Sequence, residues 1–164
     1  KKFEEREVEK YYLGFVHGTM PAATGTIDAP LMEHPVVKGK RIVNRKGKPA
    51  VTDYEVMEAL SKFSLVKFRI HTGRMHQIRV HTKDVGHPIA CDPLYGDGKP
   101  VLLSSIKKKY KLSKLADEER PILQRVALHS AQLIFKDQDG NLIDLVAEMP
   151  KDMRAFLQQV KKNQ

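Results

Sequence analysis

Residues 69–96 read Arg69-Ile70-His71-Thr72-Gly73-Arg74-Met75-His76-Gln77-Ile78-Arg79-Val80-His81-Thr82-Lys83-Asp84-Val85-Gly86-His87-Pro88-Ile89-Ala90-Cys91-Asp92-Pro93-Leu94-Tyr95-Gly96. Cations, imidazoles, glycines and one strand-to-helix transition fall in a single run, which reads as the wall of an active site. Phe63 to Ile70, just before it, is rich enough in β-branched and aromatic residues for a strand, and Thr72-Gly73 breaks that strand. From Met75 to Val85 the small or apolar positions Met75, Ile78, Thr82 and Val85 recur at helical spacing, and Gly86 with Pro88 supplies the stop. Arg79 borders that face. A guanidinium at the edge of a core is costly unless it meets an anion, so a carboxylate or phosphate is expected beside it.

Working outward, the pattern is strands joined by turns, with few helices. Lys10 to His17 reads as a strand ended by Gly18, and Gly25 to Leu31 as a short extended piece. Arg41 to Asn44 and Ala50 to Leu60 flank Arg45-Lys46-Gly47-Lys48, whose glycine suits a hairpin. Val126 to Lys136 and Leu142 to Met149 flank Asp137-Gln138-Asp139-Gly140-Asn141, a second hairpin. After Pro150, Met153, Phe156, Leu157 and Val160 form one apolar helical stripe. Between Gly98 and Arg125 the chain is Lys-rich without clear periodicity, which suggests an insertion or long loop. No internal repeat or domain boundary is evident. The expected fold is α+β: a mixed, largely antiparallel sheet with few flanking helices.

Composition narrows the partner. The 164 residues carry 29 Lys and Arg against 20 Asp and Glu, a net charge of +9, and 41% hydrophobic residues are enough for one core. A basic balance favours a polyanion, because phosphate contacts release counterions and supply sequence-independent affinity; ordinary surface charge is the plainer reading. The single Cys91 excludes a disulfide framework and fits a reducing compartment. No stretch is long or apolar enough to span a membrane as a helix, and the first residues have no signal-peptide core, so a cytoplasmic protein is expected.

The central run then narrows the family. Thr72-Gly73-Arg74-x-His76-Gln77-Ile78-Arg79-x-His81, Gly86-x-Pro88 and Asp92-x-x-Tyr95-Gly96 together resemble the signature of the RluA-type RNA pseudouridine synthases. Upstream, Lys10-x-Tyr12-x-Gly14-x-Val16-x-Gly18 is similar to the family's Lys-x-Tyr-x-Ala-x-Val-x-Gly motif, with glycine for alanine at Gly14. Downstream, Arg125-x-x-Leu128-His129-Ser130 and Met149-Pro150-x-Asp152 resemble the last strand and the start of the final helix. The His-Arg-Leu-Asp-x-x-Thr-Ser-Gly motif that carries the family's nucleophilic aspartate is not among these residues, and neither Asp28, Asp53, Asp92 nor Asp144 sits in such a context. The resemblance thus implies that residues 1–164 are the C-terminal portion of a single catalytic domain, a partial pseudouridine synthase fold incomplete for catalysis.

It also implies a chemistry. Uridine becomes pseudouridine when its C–N glycosidic bond breaks, the base turns, and a C–C bond forms, with no redox cofactor and no metal. By resemblance, Arg79 pairs with the catalytic aspartate, and Tyr12 stacks on the target base and is a candidate for proton transfer. Lys10, Arg74, His76 and Gln77 from the motifs, with Arg41, Arg45 and Lys46, are the expected RNA contacts. Ribosomal RNA is favoured over transfer RNA, and a monomer is expected. A noncatalytic RNA-binding module on the same scaffold is the alternative.

Plainer readings stand beside these. Outside the motif, a helical Arg is usually solvated and a strand Tyr usually core. His71, His76 and His81 invite a metal, but a spacing of five on a helix turns successive side chains by about 140°, so no shared face is expected. His76 and Gln77 hold either the Gly73-Arg74 turn or the phosphate backbone. Asp92 reads first as a turn-capping loop residue. The cations Lys38, Lys40, Arg41, Arg45, Lys46 and Lys48 form either a solvated hairpin or a phosphate contact.

Overall fold

The computed structural model describes residues 8–107 and 120–164. Its frame is one sheet of six strands in the order β10-β9-β1-β6-β5-β2, formed by β1 (Val8–His17), β2 (Thr24–Asp28), β5 (Val51–Leu60), β6 (Phe63–Ile70), β9 (Leu128–Lys136) and β10 (Leu142–Val146). Every ladder in it is antiparallel. Two small ribbons accompany it, β3 (Leu31–Glu33) with β4 (Arg41–Val43), and β7 (Val101–Leu102) with β8 (Pro121–Leu123). The helices are α1 (Gln77–Asp84) and α2 (Lys151–Lys162). The expected α+β class and the strands at Lys10–His17 and Phe63–Ile70 are present.

Strand alternation assigns the two faces of the sheet. On β1, Phe15 points to one face and meets Phe156 of α2 edge-on at 4.8 Å, while Phe63 of β6 meets the same ring at 5.1 Å. Met153, Phe156 and Val160 of α2 are buried there, and the predicted stripe is the face that packs. The other face carries Tyr12, paired with Phe68, which in turn pairs with Tyr54 two residues from Thr52. Thr52 is hydrogen-bonded to His81 of α1. Tyr12 therefore stands on the side of the sheet that α1 covers.

Three expectations change. The Arg45-Lys46-Gly47-Lys48 turn does not join a β4–β5 hairpin: β4 pairs with β3, and β5 lies between β2 and β6. The turn instead folds Lys48 back onto Leu31 through two backbone hydrogen bonds of 2.8 and 2.9 Å. A Cβ on Gly47 would strike the Leu31 backbone, so this close return requires glycine. Second, α1 starts at Gln77 rather than Met75, because His76 adopts a left-handed backbone (φ 57°) at the helix cap. Its buried face is Gln77, Ile78, Val80, His81 and Thr82, whereas Met75 and Val85 are exposed. Third, the segment expected as a long loop from Gly98 to Arg125 has strands at its ends, with Val101 and Leu123 buried against the core; residues 108–119 lie outside the described residues.

Candidate active site

The anion that Arg79 requires comes from thirteen residues downstream. Its Nε donates to Oδ2 of Asp92 and its Nη2 to Oδ1, both at 2.8 Å, a two-pronged pair. Asp92 is fully buried, and its Oδ1 also accepts the amides of Leu94 and Tyr95. Burial pushes the Asp92 carboxyl up, but the guanidinium and the two amides outweigh it and hold the group below the usual carboxylate range. The same hydrogen bonds raise Arg79 against its own desolvation. Asp92 thus caps its loop and neutralises Arg79 at once.

Tyr95 closes the set. Its ring lies 5.1 Å from the Arg79 guanidinium. Its hydroxyl accepts the amide of Arg41 at 2.9 Å and lies 2.8 Å from Nδ1 of His76. Burial and the nearby Arg79 lower the His76 pKa, which favours a neutral ring whose Nδ1 accepts the tyrosine proton. One phenol therefore links the β3–β4 ribbon, the start of α1 and the Asp92 loop.

The polar face of α1 is used internally. Gln77, 3% exposed, donates from Nε2 to the Val51 carbonyl and Thr52 Oγ1, and accepts at Oε1 from the Thr72 hydroxyl and the Arg74 amide. Its amide thus holds the Thr72–Arg74 turn, one of the two readings the sequence offered for it. His81 is equally enclosed. Its Nε2–H faces the Ala29 carbonyl at 2.9 Å, so Nδ1 accepts the Thr52 hydroxyl at 2.8 Å, and burial lowers its pKa. His71, at the end of β6, instead meets Asp53 at 2.6 Å. The three histidines thus face separate partners, and among the described residues no three His, Cys, Asp or Glu side chains are grouped to hold a metal.

The candidate RNA contacts divide. Arg41, Lys46, Lys48, Arg74 and Met75 line one groove of about 460 Å³ between the β3–β4 ribbon and the start of α1. Arg74 is anchored there by its Nε on the Pro49 carbonyl, and Arg41 reaches the Met75 sulfur. Arg45 is exposed on the adjoining turn but outside the groove's lining. Lys10, half-buried, shares the sheet face of Tyr12 two residues on. No hydrogen bond or ring contact joins Tyr12 to Arg79 among the described residues. The sequence reads Asp92 as a turn residue before an acid or base, and gives Tyr95 no role. The signal for Asp92 was the unpaired Arg79 itself, in a motif block that also contains a carboxylate.

Comparison with known proteins agrees with the motifs. Residues 1–84 match the family model described as RNA pseudouridylate synthase. The chain belongs to that family. It is 33% identical to ribosomal large subunit pseudouridine synthase D of Nitrosomonas europaea over 98% of its length, and 35% identical to an RNA pseudouridine synthase of Chlorobaculum parvum over 98%. It spans 43% and 50% of those two proteins. The solved human RNA pseudouridylate synthase domain containing 4 is 24% identical, with a TM-score of 0.67 over 95% of this chain and 63% of that one, which places the fold with the family's.

Proposed function

We propose that this chain is the C-terminal part of an enzyme that isomerises particular uridines of structured RNA to pseudouridine, ribosomal RNA before transfer RNA. The observation that carries the reading is the arrangement of the family-motif residues: Lys10 and Tyr12 stand on the sheet face covered by the helix that bears Arg79. The ribosomal preference leans on relatives such as the Nitrosomonas enzyme, named for the large ribosomal subunit. The protein is expected to be a cytoplasmic monomer.

In this reading the target uridine leaves its stack and lies against Tyr12. A carboxylate attacks the ribose carbon as the C–N bond breaks, the base turns, C5 displaces the carboxylate from that carbon, and the C5 proton is lost while N1 gains one. Arg79 keeps that carboxylate ionised and oriented, and Tyr12 moves a proton. Arg41, Lys46 and Arg74 hold phosphates in their groove, with Lys10 and Arg45 beside it. His76, with Nδ1 committed to Tyr95, offers its other ring edge. Asp92 is not suited to be the attacking group, because it is fully buried and both oxygens are occupied. Because the family's aspartate motif is not among residues 1–164, the nucleophile is assigned to the part of the relatives' length that this chain does not span.

Release of tritium from RNA labelled at uridine C5 tests this. Residues 1–164 alone should release none, and the full-length encoded protein should release it with or without a chelator. Release by residues 1–164 would overturn the assignment of the nucleophile. RNA binding without release by the full-length protein would favour a noncatalytic binding module.

A further inference from the structure

The surroundings of Arg79 give a role to a residue that cannot touch the RNA. Two of the guanidinium's three nitrogens, Nε and Nη2, are held by Asp92 at 2.8 Å, while Nη1 has no partner among the described residues. The Arg79 side chain is 19% exposed and that of Asp92 0%. Beneath lies the Tyr95 ring, 5.1 Å from the guanidinium carbon and fixed through its hydroxyl by Arg41 and His76. A free arginine samples many rotamers and loses that freedom when it engages an anion; this one is ordered as the protein folds.

We propose that Asp92, backed by the Tyr95 ring, is a positioning residue that fixes one edge of Arg79 so that its Nη1 side faces the reacting carboxylate. The inference rests on the catalytic reading of Arg79 given above. Asp92 offsets part of the arginine's charge, so direction matters beside charge in what Arg79 offers. A lysine, with a compact charge and no fork, gives Asp92 no edge to hold.

The test is a double-mutant cycle in the full-length encoded protein: wild type, Asp92→Asn, Arg79→Ala and the combination. Tritium release is followed under single turnover per folded molecule, beside RNA affinity. Asp92→Asn should slow the reaction on the order of 10²-fold, the effect of losing one oriented donor, here the Arg79 guanidinium that Asp92 no longer holds, with RNA affinity nearly unchanged. In the Arg79→Ala background it should add almost nothing, since there is no guanidinium left to orient. An equal fold-loss in both backgrounds would mean that Asp92 merely supports its loop, and the inference would fail while the catalytic reading of Arg79 stood. Near-normal turnover by Arg79→Ala would remove that reading and the inference together. If Asp92→Asn does not fold, Tyr95→Leu takes its place in the cycle: loss confined to the Arg79 background supports the inference, and equal loss in both overturns it.

Discussion

At Tyr12, two proposed roles share one ring. Tyr12→Phe keeps the stacking surface and removes only the hydroxyl, so proton transfer predicts a severe loss of turnover in the full-length protein and base packing a mild one. The severe loss is the expected outcome, and a variant with near-normal tritium release would leave Tyr12 as a packing residue alone. Arg79→Lys is expected to give partial rescue at best relative to Arg79→Ala, because lysine lacks the two-pronged geometry; full rescue would reduce Arg79 to a point charge. His81 carries a prediction about stability. Its folded pKa is lowered by burial. As pH falls through the unfolded value near 6.5, the unfolded chain binds a proton that the folded chain refuses. Stability should therefore be steady above that value and decline below it, toward the lower folded pKa. The urea midpoint of residues 1–164 at pH 5.5 should lie below that at pH 7.5, and His81→Gln should shrink the difference; an undiminished difference would place the sensitivity elsewhere, His76 being the next group with a lowered pKa.

Between elements, α2 and the β3–β4 ribbon do different work. The helix closes one face of the sheet through Phe156, which is fully buried against Phe15 and Phe63. Phe156→Ala removes a core ring and both edge-on contacts, and should cost about 3–5 kcal/mol in urea unfolding. A loss below about 1 kcal/mol would mean that the sheet face collapses without its helix, contrary to the usual cost of an emptied aromatic site. The ribbon holds no comparable core. It leans on α1 through Leu31, Ala50, Val80 and Tyr95, and so joins the basic groove to the Arg79 side of the molecule.

Across the whole molecule the net charge is +9, and Lys38, Lys40, Arg41, Arg45, Lys46 and Lys48 supply a local run of cations. RNA affinity should fall steeply with salt. Replacing Arg41, Arg45 and Lys46 together by alanine should reduce the magnitude of the log–log slope by about two to three units, at roughly 0.7–0.9 for each phosphate no longer neutralised. An unchanged slope would place the RNA away from the groove. The described chain has no helix long and apolar enough to cross a membrane.

What could be read from the sequence follows the range of the forces involved. Strands such as Phe63–Ile70 and the stripe of α2 were legible because alternation and helical spacing are local consequences of which face is buried. The family was legible because its motifs place particular side chains at short spacings. The pairing of β4 was not, because a glycine turn between two strand-like runs fits a hairpin equally well until Leu31 comes back to meet Lys48. The buried face of α1 was obscured for a similar reason: Gln77 and His81 are polar, and they become interior residues only when Thr52, Val51 and Ala29 arrive to satisfy them. Arg79 shows the division most sharply. Its place beside a core face announced that an anion must be near, but the choice of Asp92 depended on a loop closing over α1. Sequence determined the need for a partner, which is set by the cost of burying a charge; tertiary structure decided its identity, which is set by distances no spacing along the chain encodes.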